Sequence, residues 1–176
     1  LSAAMAIAFA GISRMLAEAH RAAPDKAGSL RSAAKQLTYD LASFSWPGWD
    51  EPGIIVTPPE MRAGHAAAKA NLAMAQELDK GDLPISRAHW MLGAHELASG
   101  HTVEARASFE LAARRAEAAG HASEAELSRA FEALAAATAD PAQAAALDAA
   151  LDRLALVDGG NELVVQVTTA REALGL

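Results

Sequence analysis

The sequence contains no cysteine, few aromatic residues and an excess of acidic over basic residues. Without cysteine, disulfide bonds, thiol catalysis and thiolate metal sites are excluded, and the absence is compatible with a reducing cytoplasm, where we expect the protein to be located. Lysine and arginine number 15 against 22 acidic residues, so the net charge is −7. We therefore expect no nucleic-acid partner and no anionic membrane surface, because both require clustered basic side chains.

Alanine is what the chain has in abundance. Hydrophobic residues make up 52 per cent of the 176 residues but aromatic residues only 5 per cent, and alanine supplies most of the difference. Alanine has the highest helix propensity, and its small side chain lets helices approach closely. The length suits one domain with a sizeable core. The composition therefore predicts a single all-α domain over residues 1–176.

The apolar start of the chain has two interpretations, a signal peptide and a core-facing helix. Residues 1–10 lack the basic segment of a signal peptide and are too short to span a bilayer. Met5, Phe9, Ile12 and Leu16 recur instead at helical spacing, which favours a helix. The chain begins without methionine, which is compatible with a fragment or a processed form of a longer protein.

Periodicity and capping signals predict seven or eight antiparallel helices. Thr57-Pro58-Pro59-Glu60 has the pattern of a capping box with proline in the first turn, so a helix is expected to begin there. The segment Val164–Val167 has the composition of a strand, but the apolar residues around it repeat at helical spacing and favour a helix. The expected helices lie near 2–21 and 29–43, which form an N-terminal hairpin within 1–45, and then within 58–176 near 58–79, 83–99, 102–119, 123–138, from Asp140 to the turn at Asp158, and 162–174.

The long non-helical segment, residues 46–57, contains two of the three tryptophans, Trp46 and Trp49. Its proline and glycine residues exclude a helix. The two indoles either cover an open end of the core or form part of a binding loop, since an aromatic side chain on an exposed loop is a good anchor for a ligand. The sequence leaves both interpretations open.

One stretch has the residue spacing of a known repeat. Leu92 and Gly93 are adjacent, Ala105 follows thirteen residues after Leu92, and Phe109 and Ala112 complete the pattern. Residues 86–120 thus resemble a tetratricopeptide-repeat (TPR) unit, which is a helix-turn-helix of about 34 residues. The resemblance implies a right-handed superhelix of helical hairpins that offers a groove to a partner.

The resemblance also implies which residues would face that groove. The first helix of such a hairpin lines it, which selects Arg87, Trp90, Ala94 and Leu97, while Asn71 on the preceding helix could contact an extended peptide. A tryptophan supplies apolar area with an N–H group, and an arginine can hold a carboxylate. The alternative is that Trp90 belongs to the core, and its exposure distinguishes the two.

The sequence contains no arrangement typical of catalysis or metal binding. The six histidines include no His-x-x-x-His or Glu-x-x-His pair that would place two ligands on one helix face. A Gly-x-Ser-x-Gly elbow and a phosphate-binding glycine loop are also missing. We therefore expect no metal, no cofactor and no enzymatic activity.

The best overall interpretation is a non-catalytic protein- or peptide-binding scaffold with a TPR-like groove. One alternative is a small-molecule sensor or enzyme module with a pocket at the Trp46/Trp49 loop. Another is a structural homo-oligomer held by an alanine-rich helix face. An exposed Trp90 favours the scaffold, a closed cavity that contains Trp46, Trp49 and a histidine favours the sensor, and a flat Ala/Leu face favours the oligomer.

Overall fold

The computed structural model describes residues 2–176, and in this range the chain is helical with no strand. The prediction of an all-α chain with seven or eight helices is confirmed, since eight helices are present in residues 2–176, including the one around Val164–Val167. Two short 3₁₀ turns, Pro47–Trp49 and Pro141–Gln143, interrupt the connections. The helices are α1 (Ser2–Ala19), α2 (Pro24–Phe44), α3 (Pro58–Glu77), α4 (Asp82–Ala98), α5 (Thr102–Ala118), α6 (Ala122–Ala139), α7 (Ala144–Ala155) and α8 (Gly160–Ala173).

Most helix ends follow the capping signals, with corrections at α2 and at α7, which begins at Ala144 after a 3₁₀ turn and not at Asp140. The carboxylate of Glu60 accepts hydrogen bonds from the backbone N–H of Thr57 at 2.9 Å and from its hydroxyl at 2.7 Å, so the predicted capping box is present. Together with a bond from the Ser2 hydroxyl at 2.6 Å, these contacts lower the pKa of Glu60 to about 2. The start of α2 at Pro24, not Ser29, reflects the tolerance of the first helical position for a residue without an N–H.

Only part of the apolar stripe predicted on α1 is buried where this helix packs against α2. Met5 and Ile12 are buried and Phe9 is half-buried, but Leu16 is largely exposed, contrary to expectation. Among the described residues, α1 is also the one helix whose length and composition would allow it to cross a membrane. Core helices and signal sequences meet the same criterion, so this is weak evidence.

Each helix packs against the next one along the chain, and the even-numbered helices also touch one another. Besides the sequential contacts from α1 to α8, α2 contacts α4 and α4 contacts α6. The last helix makes contacts beyond the sequential ones, because α8 packs against α6 and the 3₁₀ turn Pro47–Trp49 as well as against α7. One continuous buried cluster extends from Met5 in α1 to Ala170 in α8. The Trp-containing loop and α8 therefore lie together against the layer of even-numbered helices.

The residues that carry the TPR resemblance form the contact between α4 and α5. Ala105, Phe109 and Ala112 are all fully buried. Gly93 lies so close to this row that a Cβ atom there would be 3.0 Å from the Phe109 ring and 3.2 Å from the carbonyl oxygen of Ala105. Small residues at these positions therefore set the short distance between the two helices.

We expect Gly93→Ala to destabilise the protein by about 1–3 kcal/mol, because the added methyl group would lie closer to an aromatic ring and a backbone oxygen than ordinary van der Waals contact. Gly28→Ala in α2 is the matched control. A Cβ atom at Gly28 would have no atom of another segment within 4 Å, so this substitution should stabilise the helix by up to about 1 kcal/mol. Urea denaturation followed by circular dichroism measures both. A Gly93→Ala variant as stable as the wild type would contradict the close packing.

Candidate functional site

Trp46 anchors the loop to the core and does not take part in an open binding loop. Its side chain is 1% exposed, and its Nε1–H donates to the carbonyl oxygen of Ala94 in α4 at 2.9 Å. Gly48 allows the loop to fold tightly over this ring, since a Cβ there would be 2.3 Å from the indole. The interpretation that this tryptophan covers the core is therefore the correct one for Trp46.

Five aromatic rings connect the loop to α4, α5 and α6. The centroids of Trp46 and Trp49 are 4.7 Å apart, and Trp90 lies 5.4 Å from Trp46 and 5.9 Å from Trp49. Phe131 in α6 packs edge-on against Trp90 at 5.1 Å and is 5.4 Å from Phe109. Offset and perpendicular ring pairs of this kind each add about 0.5–1.5 kcal/mol beyond their buried area. The cluster therefore holds the loop rigidly against the even-numbered helices.

The predicted recognition strip on α4 is wrong for most of its length. Ala94 and Leu97 are fully buried and Trp90 is 7% exposed, so only Arg87 reaches solvent. The physical reason is the loop, because Trp46 occupies the surface of α4 above Ala94 that an open groove would expose. The Nε1–H of Trp90 is also buried without a hydrogen-bond partner in residues 2–176, and the Trp90 ring packs nearly perpendicular to those of Trp46 and Phe131.

Asn71 is likewise not available to a peptide. It is fully buried between α3 and α2, where its Nδ2 donates to the backbone oxygen of Lys35 at 2.7 Å and lies 3.5 Å from the Thr38 hydroxyl. A buried amide that bridges two helices in this way stabilises their packing. The prediction that Asn71 contacts a partner is therefore corrected to a structural role.

What remains accessible on the inner side is a small pocket between α2, α4, α6, α8 and the loop. Its volume is about 140 Å³. Trp49, Trp90 and Leu127 form its apolar walls, while Tyr39, Ser86 and Ser128 add hydroxyl groups. Arg87, Glu124 and Gln166 contribute charged and amide groups. The structure thus brings three predicted residues together here, Arg87, Trp90 and Trp49, and adds residues from helices distant in sequence.

An ion pair between Arg87 and Glu124 forms part of this pocket. The guanidinium contacts the carboxylate through Nη2 at 2.5 Å and through Nε at 3.0 Å, which links α4 to α6. These hydrogen bonds raise the pKa of Arg87, whose side chain is about half exposed. An exposed pair of this type contributes only about 0–1 kcal/mol to stability. Arg87 can therefore exchange Glu124 for another acceptor at little cost.

Local sequence patterns do not mark Tyr39, Glu124 or Gln166 as site residues. They come from α2, α6 and α8, and they meet only because those helices converge on the loop. The one signal the sequence carries is that Tyr39 is its single tyrosine. Its hydroxyl group lies at the pocket, and burial raises its pKa. The way in which α2, α6 and α8 meet at the loop cannot be predicted from the spacing of residues within any one of these helices.

A buried histidine lies next to the loop, outside this pocket. His95 is fully buried, and its Nε2–H donates to the backbone oxygen of Ala42 at 2.9 Å. Its ring stacks on that of His65 at 6.3 Å, and burial lowers the pKa of His95 to about 4. The close approach depends on Gly64, where a Cβ would be 2.6 Å from the His95 ring. Within the described chain, no group of three acidic or histidine side chains is arranged to hold a metal ion.

No protein-family model, curated protein or solved structure matches this chain. The resemblance to TPR units therefore depends on the residues between Leu92 and Ala112 alone, and it stays a prediction. The all-α architecture does not depend on that resemblance, because it follows from the helices themselves.

The pKa of His95 predicts a loss of stability in mild acid. Below about pH 6.5 the unfolded chain binds a proton at this imidazole, whereas the folded chain does so only near pH 4. The loss of stability therefore begins near pH 6.5 as the pH falls, and this residue alone should lower the free energy of unfolding by about 1.4 kcal/mol at pH 5.5. His95→Gln keeps a donor for Ala42 and should show a shallower pH dependence than the wild type. Identical pH profiles for wild type and His95→Gln would refute the assignment.

Acrylamide quenching of tryptophan fluorescence should separate Trp49 from the other two indoles. Trp49 is 36% exposed and lines the pocket, whereas Trp46 and Trp90 are shielded. We expect Trp49→Phe to remove most of the quenchable emission and Trp90→Phe to leave it in place. If Trp90→Phe removes the quenchable emission instead, the pocket is open around Trp90 in solution.

Proposed function

We propose that this chain is a non-catalytic protein- or peptide-binding module with TPR-like helix stacking. The observation that carries the proposal is the pocket in which Trp49, Trp90 and Tyr39 meet the Arg87–Glu124 ion pair. Aromatic side chains and arginine are the residues that contribute most to binding energy in protein interfaces. Here such residues come from α2, α4 and the loop and meet in one accessible pocket.

The helix packing supports a TPR-like superhelix. Sequential antiparallel packing, together with direct contacts between α2, α4 and α6, is what a curved stack produces on its inner side. The loop and α8 fill most of that side, so the partner meets a pocket and not an open groove. This arrangement favours recognition of one inserted side chain over recognition of a long peptide.

The size and charge of the pocket favour a largely apolar side chain. Its volume of about 140 Å³ is below the roughly 300–1,000 Å³ typical of small-molecule sites, so this pocket suits one side chain better than a whole ligand. The Arg87–Glu124 pair is neutral overall, and the indoles and Leu127 offer apolar walls. The Tyr39 hydroxyl and the Gln166 amide can then bond to the backbone of the inserted segment.

One observation favours a second function, a structural homo-oligomer. The outward face of α1 exposes Ala3, Ala4, Ile7 and Ala10, with no charged residue before Arg14. A small-residue face of this kind suits close packing against a symmetry-related copy. Sedimentation velocity over a range of protein concentrations tests it, and Ile7→Lys should abolish any dimer that forms there.

The binding function is tested by selecting a random heptapeptide phage library on the wild type and measuring the selected peptides by isothermal titration calorimetry. We expect Trp49→Ala to weaken them at least about tenfold, since loss of a central aromatic anchor costs about 2 kcal/mol or more. Arg87→Gln should weaken them less, because its exposed pair contributes little. Arg114→Gln on the outer surface of α5 is the matched control and should change nothing. The proposal fails if the selected peptides bind Trp49→Ala and Arg87→Gln as tightly as the wild type.

A further inference from the structure

A second recess lies on the other side of Trp49 and is lined by several exposed apolar side chains. It has a volume of about 460 Å³, and Phe44, Ile54 and Ile55 line it together with Trp49. Phe44 is 66% exposed and Ile55 is 85% exposed. Exposed apolar side chains that cluster around one recess mark interaction sites, whereas single exposed ones are ordinary.

The charges around this recess are all negative. Asp50 and Glu51 line it, and no lysine, arginine or histidine does so among the described residues. Neither carboxylate takes part in an ion pair or a side-chain hydrogen bond elsewhere in residues 2–176. In a chain of net charge −7, a partner with basic side chains gains from both the local and the overall field.

The backbone beside the recess is also available for bonding. In the part of the chain that the structure describes, Ile55 and Val56 form no backbone hydrogen bond to any other segment. Unpaired N–H and C=O groups next to β-branched side chains are what an extended peptide uses when it adds itself as a strand. Backbone pairing would fix the direction of the peptide, and alternate side chains would enter the recess.

We propose that this recess, formed by Phe44, Trp49, Asp50, Glu51, Ile54 and Ile55, binds an extended peptide segment in which apolar residues alternate with lysine or arginine. The apolar side chains enter between Phe44 and the two isoleucines, and the basic ones meet Asp50 and Glu51. This surface is separate from the pocket that contains Arg87, with Trp49 as the wall between them. The proposal goes beyond the binding function above and does not depend on it.

The test uses two synthetic nonapeptides, one of alternating lysine and valine and one of alternating glutamate and valine. Binding to the wild type is followed by calorimetry and by the NMR shift of the Trp49 indole N–H. We expect the basic peptide to bind at least about tenfold more tightly than the acidic one, and raising the salt concentration should reduce the difference. Equal binding of the two peptides overturns the proposal.

Three variants assign the effect to this recess. Asp50→Asn with Glu51→Lys should reverse the preference for the basic peptide, and asparagine is chosen because Asp50 has a positive φ of 49° that asparagine tolerates. Ile55→Ser should weaken binding at least about tenfold, while Val103→Ser, at a similarly exposed apolar position on α5, should not. The proposal is wrong if Ile55→Ser binds like the wild type, or if sedimentation shows that a second copy of the chain occupies the recess and excludes the peptide.

Arg87→Gln separates this proposal from the binding function of the pocket. Arg87 lies outside the recess, so the Arg87→Gln variant should bind the lysine–valine peptide as the wild type does. A loss of binding in Arg87→Gln would assign the peptide to the pocket and overturn the recess as its site.

Discussion

The insertion of Trp46 against α4 is the interaction on which the rest of the inner surface depends. Its indole donates to the carbonyl oxygen of Ala94, and its ring contacts Trp49, Trp90 and Phe131. A buried indole N–H is more stable with an acceptor, so this hydrogen bond fixes the position of the loop on α4. That position covers the C-terminal half of the inner face of α4 and brings Trp49 to the edge of the remaining pocket.

The docked loop divides the accessible surface into two recesses of different character. On one side of Trp49 the pocket combines aromatic walls with the neutralised Arg87–Glu124 pair, and on the other side the larger recess combines exposed apolar side chains with Asp50 and Glu51. The contrast follows from the chain itself, because the helices supply every residue of the first set except Trp49, whereas the loop supplies most of the second set and α2 adds Phe44. One loop therefore creates both surfaces, and a rigid loop presents both in fixed positions.

Small residues allow the helices to come together at the distances that this arrangement requires. Gly93 admits the ring of Phe109 between α4 and α5, and Gly64 in α3 admits Ser45 at the end of α2 and His95 of α4. The same closeness leaves His95 without water and keeps its imidazole neutral. Close packing and the acid sensitivity of this interior thus have a common cause.

The sequence by itself determined the all-α class, a count of seven or eight helices and the capping box at Thr57, because these depend on local propensity, periodicity and spacing. It also named Arg87, Trp90 and Trp49, which the structure brings to one pocket. Only the tertiary structure decided that Ala94, Leu97 and Asn71 are buried and that Tyr39, Glu124 and Gln166 join the site. The reason is physical: whether a helix face is open depends on what packs on it, and the loop that covers α4 lies about fifty residues earlier in the chain.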